Sequence, residues 1–395
     1  MKPSERREIL TMRFFLKLKA SLNNPANKCT TSQNEVLLRN KNQSPFSIRS
    51  ADIIAKYNLP DLYVKPFFSY LLHRCTTPKY AIPPAILNQD LCKYPKQSTS
   101  PAIFKTLFRS IIDARYQNFQ KIYTDGSKSD DGVGAAAIEL TTPSSCLASL
   151  PKEASIFTAE AHALQMAIDY IFRKQPSPQK NYVIFTDSKS VFVSLNNRND
   201  NPTIRTIMHK LHLLQQQRVH VEICWIPSHI GIEGNEKADT KAKEASRRRA
   251  ELIPIYYKDY FSTIRSKVEA AREEAWQNYN PPPKLRAIKT DLKPWPPYDL
   301  SRREEVVINR IRIGHTNLTH NYLMDNETPP IPPICPMCNN SILTISHIFT
   351  QCPNLETARR RHFTPPWNLE TMLGIYCDPN KVINFLKTCK AFESI

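Results

Sequence analysis

Four carboxylates stand where chemistry, rather than solubility, would place them. Asp125 closes the apolar run Ile-Tyr-Thr-Asp-Gly-Ser at 122–127, and Asp187 closes a second run of the same texture, Ile-Phe-Thr-Asp-Ser-Lys at 184–189. Glu160 shares a helical stripe with Leu164, Ile168 and Ile171, so its side chain turns toward whatever that stripe packs on. Asp239 lies near the start of a further helical stretch, with Ala238 and Ala242 close by. Taken singly, an Asp after a strand is most often a turn or capping residue. Four converging acids would repel one another strongly in a low dielectric, and proteins hold such clusters mainly by neutralising them with divalent cations. Oxygen donors alone favour Mg²⁺ or Mn²⁺ over zinc, and two such ions suit in-line attack of water on a phosphodiester. His229, in the loop Trp-Ile-Pro-Ser-His-Ile-Gly-Ile-Glu-Gly-Asn, reads either as an exposed loop residue or as a general acid or product-release group.

Positioning these groups requires an α/β frame, and residues 119–246 supply its pattern. Strands are predicted at 122–125, 133–140, 146–150, 182–186 and 219–226, and helices over 157–172, 188–195, 204–217 and 235–246. In an open α/β sheet, ligands bind beyond the carboxyl ends of strands, where Asp125 and Asp187 fall. Outside this block, helical spacing (Ile9, Met12, Phe15, Leu16, Leu18) gives way to a polar stretch at 21–34, and prolines break the region 59–101 into irregular connecting structure. Arg247, Arg248 and Arg249 mark the block's far boundary. A mixed helix at 262–279, a Pro-rich linker at 281–297, a basic helix at 302–313 and a short apolar end at 382–386 follow. The expected division is a basic helical or irregular connection at 1–118, a catalytic domain at 119–246, a helical and Pro-rich linker at 247–300, and a tail at 301–395.

The chain has 395 residues and a net charge of +18, with 41% hydrophobic and 23% charged residues, which excludes a collagen, a coiled coil and a wholly disordered chain. No apolar run approaches the ~18 residues of a spanning helix, and residues 1–15 mix charges into their apolar positions. A soluble, unsecreted protein of the cytoplasm or nucleus, without a membrane partner, is expected. The charge is uneven. Residues 119–246 hold 14 Lys/Arg and 14 Asp/Glu, whereas 1–118 hold 19 against 7 and 247–395 hold 21 against 15. Of ten cysteines, three join a histidine in Cys335-x2-Cys338-x8-His347-x4-Cys352, the donor set of a closed structural zinc site, with Arg359, Arg360 and Arg361 as nearby positive charge. Cys29, Cys75, Cys92, Cys146, Cys224, Cys377 and Cys389 show no interpretable spacing.

With these residues in order, the block at 119–246 resembles a ribonuclease H type 1 domain, the class that cuts RNA in RNA/DNA hybrids. The Thr-Asp-Gly-Ser strand end, the Thr-Ala-Glu-Ala helix, the Phe-Thr-Asp-Ser strand end and the Ser-His-x-Gly-x-x-Gly-Asn-Glu-x-Ala-Asp run carry the likeness. The resemblance implies an α/β ribonuclease H-like fold with a mixed five-stranded sheet. It also implies Asp125, Glu160, Asp187 and Asp239 as ligands of two Mg²⁺ (or Mn²⁺) ions, His229 as the assisting histidine, and Gly126, Ser127, Ser188 and Asn235 as substrate contacts. The acid order separates it from DDE transposases of the same fold. Departures are the Ile156, Phe157 and Lys189 side chains where hybrid-reading polar residues stand in that class, and the missing basic handle helix, which leaves the basic flanks to neutralise phosphates.

The setting resembles the C-terminal part of a non-LTR retrotransposon polyprotein of the Jockey or I type, in its Arg-Arg-Glu-Ile-Leu opening at 6–10 and its Cys-Cys-His-Cys tail, without any polymerase motif. The expected function is metal-dependent cleavage of the RNA strand of RNA/DNA hybrids. The alternatives are a catalytically idle nucleic-acid-binding remnant and a single-strand-binding module.

Overall fold

The computed structural model describes residues 3–30, 44–67, 82–141, 145–174, 179–197, 201–280, 284–324 and 331–395. Parts of the polar stretch at 21–34, of the proline-broken region 59–101 and of the Pro-rich linker at 281–297, together with Cys75, lie outside them. The chain divides into two compact units, Met1–Val268 and Glu269–Ile395.

In the first unit, alternating β-branched and aromatic residues build a six-stranded mixed sheet. Its strands are β1 (Ile86–Asn88), β2 (Gln120–Lys128), β3 (Val133–Glu139), β4 (Ser145–Leu150), β5 (Asn181–Thr186) and β6 (His220–Trp225), in the order β1-β6-β5-β2-β3-β4. Strands β2, β3 and β4 run antiparallel as a meander, whereas β1, β6, β5 and β2 are mutually parallel. Five strands were expected. The sixth, β1, is three residues lying beyond Pro83 and Pro84, too short to show alternation, and it exists because the exposed edge of β6 offers it a parallel ladder. The proline-rich stretch around it is therefore not all irregular.

The helices of this unit are α1 (Pro3–Ala20), α2 (Phe46–Lys56), α3 (Pro101–Arg115), α4 (Ile156–Arg173), α5 (Lys189–Asn196), α6 (Pro202–Gln216), α7 (Glu233–Ser246) and α8 (Tyr260–Gln277), the last crossing the boundary between the units. Ser155 caps α4 by accepting from the Thr158 amide, and the apolar stripe Ala161, Leu164, Ile168 and Ile171 is wholly buried. Helix α4 presses on one face of β2 at Gly126, where a Cβ would stand 2.5 Å from the Glu160 nitrogen, so only glycine permits the approach. Helix α7 covers β2 and β3 through its small residues Ala238, Ala242 and Ala245. The core also takes in Leu91, Phe104, Phe108 and Tyr116 from the segment before β2. Phe108 and Tyr116 both meet the Phe185 ring edge-on.

The second unit is helical, with α9 (Arg302–Ile313), α10 (Asn317–His320), α11 (Glu356–His362), α12 (Leu369–Leu373) and α13 (Pro379–Thr388). A Ser301–Glu304 capping box starts α9, and Gly314 in the left-handed region ends it. Phe349, Phe385, Leu386 and Val307 form its core together with Cys335 and Cys352. No helix among the described residues is long and apolar enough to cross a membrane.

Candidate active site

Strand register sets the site. Thr124 of β2 pairs with Thr186 of β5, so the next residue on each strand, Asp125 and Asp187, falls at the same level on adjacent parallel strands. Asp125 does not end its strand as the sequence suggests. β2 continues to Lys128 because Gly126, Ser127 and Lys128 pair with β3. Glu160, in the second turn of α4, completes a group in which one carboxylate oxygen from each of Asp125, Glu160 and Asp187 lies within 4.8 Å of those of the other two.

Burial and like charge act together on this group. Asp125 is 6% exposed, and burial, followed by Asp187 and Asp239, pushes its carboxyl up to about 8. Glu160 is raised well above the carboxylate range by burial and by the two strand acids Asp125 and Asp187. Asp187 is raised by burial, against the opposing effects of an Asn235 hydrogen bond and of the His229 and Lys96 charges. The contrast with other buried acids is informative. Glu222 accepts from Tyr116 Oη at 2.8 Å and pairs with Arg115, and Glu139 accepts from Tyr170 and Lys174. Glu160 Oε2 is buried with no hydrogen-bond partner. A buried carboxylate oxygen without a donor is costly unless a cation takes that place.

Asp239 stands apart from this trio. Its carboxylate groups with His229 and Glu236, again within 4.8 Å, and Oδ2 lies 2.7 Å from Lys243 Nζ one turn along α7. The four predicted acids therefore form a trio and an adjoining fourth, close enough for Asp239 to act electrostatically on Asp125 and Glu160. His229 is exposed, in the left-handed region at φ 55°, and its loop is tied to α7 where the Gly231 amide donates to Glu236 Oε1 at 3.1 Å.

The four candidate substrate contacts take different places. Gly126 is filled by the α4 backbone, and Ser127 is half-buried at the end of β2. Ser188 occupies the N-cap position of α5 without a side-chain capping bond, its hydroxyl 3.2 Å from that of Ser190. Asn235 donates Nδ2 to Asp187 Oδ2 at 3.1 Å, while its buried Oδ1 has no partner.

Three contributors escaped sequence reasoning. Glu236 sits one turn before Asp239 in the Asn-Glu-Lys-Ala-Asp run, a spacing that could have flagged it. Lys243, one turn after, was equally visible. Asp259 was not, because it lies beyond the block. It accepts from Ser155 Oγ at 2.8 Å and from Thr158 Oγ1, clamping the first turn of the helix that carries Glu160.

In the second unit, the donor atoms of Cys335, Cys338, His347 and Cys352 lie within 4.8 Å of one another, with Cys338 Sγ 3.4 Å from His347 Nε2. A one-pair bridge between Ile334 and Ile342 closes the loop holding the first two cysteines. Arg359 is buried beside this cluster and donates to the Ile348 and Cys352 carbonyls, whereas Arg360, paired with Glu356, and Arg361 are exposed and keep the place of nearby positive charge expected from sequence.

The family model described as RNase H matches residues 117–247. No curated protein sequence matches the chain. Among solved structures, the chain is similar to RNase H1 from the halophilic archaeon Halobacterium salinarum NRC-1, at 20% identity over 32% of this chain and 96% of that one, with a TM-score of 0.25. It is also similar to LC11-RNase H1, solved in complex with an RNA/DNA hybrid, at 20% identity over 32% and 95% of the two chains, with a TM-score of 0.26.

Proposed function

With residues 117–247 a ribonuclease H domain, we propose that the chain is a metal-dependent endonuclease hydrolysing the RNA strand of RNA/DNA hybrids. The observation that carries this is the trio Asp125, Glu160 and Asp187, mutually within 4.8 Å, with the buried Glu160 Oε2 unpartnered. That donor set fits a hard divalent cation. Oxygen ligands, stacked negative charge and an orphaned carboxylate oxygen are all relieved by one. Asp125, Glu160, Asp187 and Asp239 would hold two Mg²⁺ or Mn²⁺ ions. When bound, such ions activate water for in-line attack at phosphorus and stabilise the leaving oxygen.

The remaining work falls to this chain's own residues. Asn235 fixes the Asp187 carboxylate through its 3.1 Å hydrogen bond. Asp259 holds the start of α4, and so the level of Glu160. His229, exposed beside Asp239, is placed to pass a proton to the leaving oxygen or to assist product departure. Ser127 and Ser188, directly following or next to the strand acids, and the Gly126 backbone are assigned to the RNA strand, whose 2′-hydroxyl distinguishes it from DNA. Products would carry 5′-phosphate and 3′-hydroxyl ends.

For the second unit we propose a structural Zn²⁺ on Cys335, Cys338, His347 and Cys352, supported by the clustering of their donor atoms within 4.8 Å of one another. The whole chain is then read as a retrotransposon-derived polyprotein segment of the Jockey or I type, acting in the cytoplasm or nucleus, on the joint presence of this cluster and the hybrid-cleaving block. The test compares end-labelled RNA/DNA, RNA/RNA and DNA/DNA duplexes. Cleavage confined to the RNA of the hybrid, with 3′-hydroxyl ends and loss in EDTA, is expected. Equal cutting of all three, or of none by a folded protein, contradicts it.

A further inference from the structure

The ribonuclease H block is electrically neutral, yet the mouth of its acid site is lined with positive charge from outside it. Two lysines of the segment before β2 flank the His229 loop. Lys96 Nζ is 2.6 Å from Ser228 Oγ, on one side of His229. On the other side Lys105 lies so close to Gly231 that a Cβ there would stand 2.5 Å from Nζ. Gly231 is in the left-handed region at φ 76°, so glycine serves both the turn and the approach of the lysine. Arg109, one turn beyond Lys105 on α3, is exposed on the same helix face.

This segment is fixed to the domain. Phe104 and Phe108 of α3 and Leu91 just before it are buried in the core around Phe185, and β1 pairs with β6. The lysines are therefore presented on a packed support with exposed side chains, neither in an ion pair among the described residues, and Lys96 near enough for its charge to act on Asp187. Unpaired cations around an acid site that acts on a polyanion are suited to phosphates on either side of the reacting one.

Resting on the proposed function, we propose that Lys96 and Lys105, from outside the residues matched by the family, form a phosphate-contacting rim that holds the backbone of the hybrid against the His229 loop. Removing residues 1–118 would strip β1, Leu91, Phe104 and Tyr116 from the core, so point substitutions are the proper test. Binding of a labelled RNA/DNA hybrid to the full chain is measured in EDTA across a salt series, for wild type, Lys96→Ala/Lys105→Ala, Lys96→Arg/Lys105→Arg, and the equally charged control Lys17→Ala/Lys19→Ala.

The alanine pair is expected to weaken binding roughly tenfold and to lower the slope of log affinity against log salt by about 1.5–2, as loss of two phosphate contacts requires. The arginine pair and the control should stay near wild type. An alanine pair with wild-type melting temperature, affinity and slope overturns the proposal, as does an equal loss in the control pair. A wild type that binds through these lysines without cleaving overturns the proposed function and leaves the rim standing. A wild type that cleaves hybrid with no dependence on them does the reverse.

Discussion

Asn235 Nδ2 donates to Asp187 Oδ2 at 3.1 Å, across the gap between the first turn of α7 and the end of β5. The sequence suggests Asn235 as a substrate contact, and we propose from this hydrogen bond that it also orients the Asp187 carboxylate. Asn235→Ala should lower kcat about 10- to 100-fold, the usual cost of losing the group that aims a metal-binding ligand, with an unchanged melting temperature. Steady-state cleavage kinetics test this. A rise in KM with kcat unchanged would return Asn235 to the substrate.

Asp259 joins a residue outside the family block to the helix that carries Glu160. Asp259→Ala leaves the Ser155 and Thr158 hydroxyls at the α4 N-terminus without their carboxylate acceptor. A loss of about 2–3 kcal/mol in urea denaturation of the full chain is expected. No change in the midpoint would show that the contact does not hold the helix start.

The pH dependence follows from Asp125. Its carboxyl is pushed up to about 8 in the folded state, against ~3.9 in an unfolded chain, so the folded state binds this proton more tightly between those values. Ion-free stability from this site is therefore fully present below pH ~4 and falls as pH rises toward 8. Asp125→Asn should melt higher than wild type in EDTA at pH 8, with the advantage vanishing near pH 4. A variant less stable at both pH values would contradict the charge cluster. Adding Mg²⁺ at pH 8 should raise the wild-type melting temperature and not that of Asp125→Asn.

Chelation tests the second unit. Treatment with a zinc chelator, or Cys352→Ser, should release about one zinc per chain and unfold the cysteine-bearing unit, seen as loss of near-ultraviolet dichroism from its tryptophans while hybrid cleavage persists. A unit that stays folded and metal-free would set the zinc assignment aside.

The acids, their order and the helices between them were legible because each rests on a local pattern: an apolar run ending in Thr-Asp, or a helical stripe with one carboxylate in it. Register was not. That Thr124 pairs with Thr186, and so places Asp125 beside Asp187, depends on strand pairing over sixty intervening residues. β1 and the Lys96–Lys105 segment were illegible for a related reason, since a three-residue strand between prolines carries no periodicity and gains its form only from the edge of β6. Asp259 and Arg359 look like ordinary surface charges in sequence, and only the tertiary structure shows them buried against hydroxyls and carbonyls.

The most direct experiment is cleavage of a labelled RNA/DNA hybrid by the purified chain with Mg²⁺, run beside Asp187→Asn and an EDTA control. Cleavage by wild type, lost in EDTA and reduced at least a hundredfold in a folded Asp187→Asn protein, is the predicted result. A folded wild type that binds the hybrid and leaves its RNA intact would contradict it, and would make the chain an idle nucleic-acid-binding remnant.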